Sequence, residues 1–290
     1  MKIKVVANYD TDLNIYKSVI NCFGKNNKYE LTLDETEAEY LVVINGYPTS
    51  KIKHSRDKII GVLQEPEGNN NYDRNLSFYC SKIACQSEEM FRRYGGVIEG
   101  PVSMFYSHHV TTDKNYFESF NNFNNRKKLC IIVSSISTPN NPSWKNHNYT
   151  KRHKLINALL KTDMDFDFYG RGWNIGDSRY KGQTLNKHET LRQYEYSIAI
   201  ENCCEKNYAS EKIFDCFLNN TVPIYYGCPN VSEFYDVQSY ETVDIESPQA
   251  IQDIARIITD SNQKYQEAIQ RSKKRYFEEN SLYSLLEKTI

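Results

Sequence analysis

The chain of 290 residues has no C-x-x-C pair, no H-E-x-x-H motif, no apolar run long enough to span a bilayer and almost no net charge. Each absence removes a class of function. The six histidines, at 54, 108, 109, 147, 153 and 188, lack metal-ligand spacing, and His108 and His109 read as a surface or loop pair. The eight cysteines read as small buried thiols in a reducing compartment. A formal charge of -1 and a pI near 6.6 exclude affinity built on phosphate neutralisation along a polymer, so no nucleic-acid partner is expected. Small anions need only a few local cations and stay open. "MKIKVVANYD" enters a strand-like run directly, so a soluble cytoplasmic protein without a transmembrane segment is expected, peripheral membrane association being compatible with the same sequence.

With 39% hydrophobic and 25% charged residues the chain is globular, and its length suits two domains. Its 23 tyrosines suit cores and sugar- or base-facing walls alike. Near-continuous Val/Ile runs in "KIKVVANY", "AEYLVVING", "KIIGVLQEP", "KIACQSEE" and "GVIEGPVS" alternate with polar stretches, the pattern of a parallel sheet covered on both faces. The Asn-rich stretch 111–128 reads as a linker or boundary. Beyond it come a strand "LCIIVSSIS", a helix "TKRHKLINALLK", a strand "DFDFYGRGW", a helix around "KHETLRQYEY", and a further strand–helix–strand. The expected fold is α/β, two Rossmann-like domains facing across a cleft. The expected divisions are 1–120, 121–265 and a helical tail, 266–290, that packs back on the core.

The chemistry concentrates in "IAIENCCEKNYASEKIFDCFLNNTVPIYYGCP". Ligands of open α/β sheets bind beyond the carboxyl ends of strands, which is where Glu201 and Asn202 fall. Ser210 occupies an N-cap position before the stripe Ile213, Phe214, Phe217 and Leu218. Glu211 and Lys212 then open the helix. A carboxylate is at home there but an ammonium is not, unless an anion is bound with it at the free N–H groups. An ordinary solvated helix start is the alternative.

These residues resemble the signature of the α1,3-fucosyltransferase family, glycosyltransferase family ten: a strand ending in F-E-N, then Y-[VAT]-[ST]-E-K, a helix and V-P-[IV]-x-x-G. Here Glu201-Asn202, Tyr208-Ala209-Ser210-Glu211-Lys212 and Val222-Pro223-Ile224 with Gly227 fall in that order. The similarity is close over 185–245 and weaker but collinear elsewhere. It implies a GT-B fold, GDP-fucose as donor substrate held by the C-terminal domain, inversion at the anomeric carbon, a glycan acceptor, and no required cofactor or metal. By the same resemblance Arg152 and Lys212 hold the diphosphate, Asn202 and Tyr208 bond the nucleotide or its diphosphate, and Glu211 accepts from sugar or ribose hydroxyls. The base is a glutamate after a strand of the N-terminal domain. "IIGVLQEPEGNN" offers Glu65 and Glu67, and Glu65, nearer the strand end, aligns better.

Arg171, in Gly170-Arg171-Gly172, is a secondary candidate beside Glu67, Glu201 and Ser210; a tight turn is the plainer account of the glycines. Asp163, Asp165 and Asp167 would suit a D-x-D metal site, but strict alternation with Met164, Phe166 and Phe168 is what a half-buried strand produces, so no metal is assigned. Two alternatives accompany the resemblance: another 6-deoxyhexose on a GDP or UDP donor, and an inactive nucleotide-sugar- or glycan-binding protein.

Overall fold

A computed structural model describes residues 1–66, 75–86, 92, 97–98, 113–124, 126–135 and 147–290. The chain divides into two compact units, one of Met1–Phe117, Glu205–Ser210 and Tyr276–Ile290, the other of Glu118–Cys204 and Glu211–Arg275.

The first unit is built on a parallel sheet of six strands: β1 (Lys2–Ala7), β2 (Glu30–Leu31), β3 (Tyr40–Ile44), β4 (Ile59–Leu63), β5 (Lys82–Cys85) and β6 (Val97–Ile98), in the order β2-β1-β3-β4-β5-β6. Strand side chains alternate, so a run apolar at every position needs cover on both sides. Ile3, Val5, Val42, Ile44, Ile60 and Val62 form one core, closed by Ile15 and Val19 of α1 (Asp12–Phe23). Val6, Leu41, Val43, Ile59, Leu63 and Ile83 form the other, against Leu76 of α2 (Leu76–Tyr79). Thr11 caps α1, its hydroxyl accepting from the Asn14 N–H.

The helix expected to pack back does so within this unit. Leu282, Tyr283 and Leu286 of the last helix, Leu282–Thr289, enter the core of Ile15 and Val19. Polar 111–128 is more than a linker, because the short helix α3 (Lys114–Glu118) buries Phe117 completely and Phe123 is 3% exposed. Two phenylalanines are enough to anchor a stretch that composition alone makes look like loop.

The second unit carries a parallel sheet of five strands: β7 (Lys127–Ser135), β8 (Asp167–Arg171), β9 (Tyr194–Ile200), β10 (Val222–Tyr226) and β11 (Glu241–Thr242), ordered β11-β10-β9-β7-β8. Helix α4 (Tyr149–Leu159) follows β7, and α6 (Glu211–Leu218) joins β9 to β10. The helix expected around "KHETLRQYEY" is only α5 (Lys187–Leu191). Tyr194 and Tyr196 belong to the strand and are wholly buried, because ring-bearing residues alternating with polar ones fit a pleated surface better than a helix. None of the eight cysteines forms a disulfide; seven are buried and Cys204 is exposed, a correction to the expectation of buried thiols. Among the described residues no helix is long and apolar enough to cross a membrane.

Candidate functional site

At the carboxyl edge of the second sheet, β9 delivers Glu201 and Asn202 and α6 delivers Glu211 and Lys212. Glu201 is completely buried. Its Oε2 lies 3.6 Å from Lys212 Nζ and its Oε1 accepts from the Tyr225 hydroxyl at 3.2 Å. Lys212 Nζ also donates to Glu211 Oε1 at 3.1 Å. Burial and then the Glu201 carboxylate push the Tyr225 phenol well above its usual range, keeping it protonated as a donor. The same oxygen accepts from the Cys228 N–H at 3.1 Å.

Gly227 explains the last letter of the V-P-I-x-x-G run. A Cβ there would lie 2.3 Å from Glu201 Cγ and 2.9 Å from the Tyr225 hydroxyl. The Glu201 side chain occupies the volume a larger residue would need. A buried carboxylate is tolerated because a cation and a hydroxyl meet it.

Arg152 comes from α4 and is 4% exposed. One of its terminal nitrogens donates to the Ile200 carbonyl at 2.9 Å, with longer reaches of 3.4 Å to the Glu201 carbonyl and to Asn202 Oδ1. Asn148 joins it, its Nδ2 donating to the Glu201 carbonyl at 3.1 Å and its N–H to the Asn202 carbonyl at 2.7 Å. The guanidinium therefore braces the strand end that carries Glu201 and Asn202.

One helical turn on, Lys187 Nζ pairs with buried Asp215 at 2.7 Å. Burial opposes the Lys187 charge, yet Asp215 and Glu211 outweigh it and raise its pKa. The carboxyl edge thus holds two lysines, Lys187 and Lys212, against three carboxylates, Asp215, Glu211 and Glu201.

The corresponding edge of the first sheet is made of amides. Asn45 holds a left-handed conformation, φ 58°, and its Oδ1 accepts from the Gln64 N–H at 2.7 Å. Gln64 Oε1 accepts from the Tyr9 hydroxyl at 3.2 Å. Gln86 Nε2 donates to the Glu65 carbonyl at 3.2 Å. Glu65 is half-buried at the end of β4, and Glu67 lies outside the described residues. Tyr208, 3% exposed, and buried Ser210 belong to the segment Glu205–Ser210, which groups with the first unit.

Arg171 is exposed at the end of β8. Gly170 leaves room for Val133 and Trp173, and Gly172 has φ +82°, as a tight turn requires. Asp167 is bound by Lys127 at 2.7 Å, Lys181 at 3.2 Å and the Tyr194 hydroxyl at 2.5 Å, while Asp163 and Asp165 are exposed. Among the described residues no group of three or more His, Cys, Asp or Glu is arranged to hold a metal ion.

Sequence reasoning missed Lys187, Asp215, Tyr225, Gln64 and Gln86. The two glutamines could have been found as the first polar residues after apolar strands. Lys187 and Asp215 carry no local signal, since they come from different helices.

The pattern of glycosyltransferase family 10 (fucosyltransferase), C-terminal part, matches residues 121–284. A fucosyltransferase-like protein of Arabidopsis thaliana is 36% identical over 83 residues, 29% of this chain and 15% of the relative. The α-(1,3)-fucosyltransferase FucT of Helicobacter pylori is 38% identical over 58 residues, 20% of this chain and 12% of the relative. The matches thus span well under a fifth of the length of these two curated relatives. A crystal structure of an α1,3-fucosyltransferase with GDP-fucose aligns over 98% of this chain and 92% of its own, with TM-score 0.55 and 18% identity. Anabaena HepE, solved with UDP and glucose, aligns over 99% and 98% with TM-score 0.55 and 9% identity. The fold is of GT-B type, and the chain belongs to glycosyltransferase family 10, the fucosyltransferase family.

Proposed function

We propose that the chain is an inverting glycosyltransferase that moves L-fucose from GDP-fucose to a glycan hydroxyl, in the manner of an α1,3-fucosyltransferase. The sheet of the first unit takes the acceptor and the second unit the donor, with Tyr208 of the segment Glu205–Ser210 also assigned to the donor. The observation that carries this reading is the Lys212–Glu201–Tyr225 cluster where α6 begins. A lysine held by a buried carboxylate at the start of a helix, where the backbone dipole favours an anion, suits a departing diphosphate.

In this reading Glu65 takes the proton of the acceptor hydroxyl as its oxygen attacks the anomeric carbon. The bond from that carbon to the diphosphate oxygen breaks and GDP leaves. Lys212 and the α6 N-terminus receive the developing charge, with Arg152 behind them bracing the strand end. Asn202 and Tyr208 bond the nucleotide, and Glu211 accepts from a sugar or ribose hydroxyl. Glu201, fully buried, acts through Lys212 rather than on substrate. The chemistry needs no metal.

A thermal-shift titration with GDP, UDP, ADP and CDP, each with and without EDTA, tests the reading. A ligand that binds only the native state stabilises it by RT ln(1 + [L]/Kd). A shift confined to GDP and indifferent to EDTA is expected. A shift with UDP alone would change the donor, and a shift that EDTA abolishes would restore a metal.

A further inference from the structure

The register pairing Leu63 with Cys85 sets the next residues, Gln64 and Gln86, side by side at the carboxyl edge of the first sheet. Both are 1% exposed. Gln86 Nε2 donates to the Glu65 carbonyl at 3.2 Å, and the Gln86 carbonyl accepts from Asn207 Nδ2 at 2.9 Å. Asn207 adjoins Tyr208 and has φ 66°, a left-handed conformation in which asparagine is favoured among non-glycine residues. One residue thus ties the loop bearing Glu65 to the segment bearing Tyr208.

The glutamines are not filled out as purely structural groups are. Gln86 Oε1 and Gln64 Nε2 are buried with no hydrogen-bond partner among the described residues. Buried polar atoms are almost always paired, and an unpaired one carries a desolvation cost. Reversing the Gln86 amide would set its oxygen against the Glu65 carbonyl. Reversing Gln64 would exchange an orphan donor for an orphan acceptor. An apolar side chain of the same size would remove both orphans together with the bonds to the Glu65 carbonyl and the Tyr9 hydroxyl, so the amides hold these two groups at a desolvation cost.

We infer that Gln86 and Asn207 are positioning residues that fix the Glu65 loop against the Tyr208 segment, an inference that rests on the transferase reading above. Their contribution falls chiefly on the geometry of the reacting groups, hence on turnover, with a smaller loss of donor affinity through Tyr208.

The test uses the full chain and the variants Gln86→Met and Asn207→Gly. The first keeps volume without the amide; the second keeps the left-handed backbone without the side chain. GDP release from GDP-fucose is followed with N-acetyllactosamine as acceptor and with water alone, together with GDP affinity and Tm. Each variant is expected to lower kcat at least tenfold, with KM for GDP-fucose and GDP affinity within threefold and Tm within a few degrees of wild type. In the double variant the losses should not multiply, since both residues act on one joint. A kcat within twofold of wild type in both variants overturns the inference, and so does a kcat loss matched by falling GDP affinity or Tm, which marks an ordinary structural role. A wild-type chain that binds GDP but releases none from GDP-fucose removes the reaction the joint would serve and overturns it too. Failure of the wild type to bind GDP overturns the donor reading itself, and the inference with it.

Discussion

The two sheets end in edges of opposite character. At the second sheet, Lys212 pairs with Glu211 and Glu201, and Lys187 pairs with Asp215, so both signs are held there in ion pairs. At the first, Asn45, Gln64 and Gln86 provide neutral amides beside Glu65. The same Rossmann-like scaffold thus carries two edges of different chemistry. Charge of both signs suits an anion that must be held and then released, whereas neutral amides suit the hydroxyls of an uncharged ligand.

The largest effect should come from the neutral edge. Glu65→Gln is expected to lower transfer by about 10²–10⁴-fold, the range of a lost general base, with GDP affinity unchanged by calorimetry. Full activity in that variant would move the base away from Glu65. At the charged edge, Gly227→Ala drives a methyl onto Glu201 and should cost about 1–3 kcal/mol by urea unfolding, the usual penalty of overpacking. It should weaken GDP binding as well, because Glu201 holds Lys212; intact affinity would detach the buried carboxylate from the donor site.

Lys212→Ala should weaken GDP binding about tenfold or more, the worth of a charge-assisted hydrogen bond of about 1.5–3 kcal/mol. Unchanged affinity would leave the charged edge without a ligand. The smallest effect lies away from both edges. Lys273 is 3% exposed, and burial, reinforced by Arg192 and opposed by Glu118, lowers its pKa to about 8. Between that value and the ordinary lysine value the unfolded chain binds the proton and the folded one does not, so this residue's contribution to stability rises with pH across that window. Lys273→Met should flatten that rise and raise stability at neutral pH by on the order of 2 kcal/mol. A steeper rise in the variant would show the sign to be wrong.

Much of this was legible beforehand, for identifiable reasons. Strands buried on both faces declare themselves as apolar runs, so β1, β3, β4 and β5 could be read directly. The charged edge was legible because strand end, loop and helix start lie within a dozen residues, from Glu201 to Lys212. What stayed hidden depends on contacts distant in sequence. The burial of Phe117 and Phe123 in a polar stretch, the pairing of Lys187 with Asp215, and the bracing of β9 by Arg152 all join separate elements. Arg152 could be picked out by position, but its use of carbonyls as partners could not be seen in a run of basic residues. The neutral edge was the least legible, because a glutamine after a strand looks like any other polar loop residue.

The last helix has a consequence for how the chain is made. Its Leu282, Tyr283 and Leu286 fill the core begun by Ile15 and Val19. On the ribosome, a chain emerging at roughly 5–20 residues per second presents the first sheet well before the residues that seal it. The unit that starts first therefore finishes last, with an apolar face open while the whole second unit is synthesised. During that interval the nascent chain, rather than the finished protein, is the form most exposed to aggregation and to chaperones.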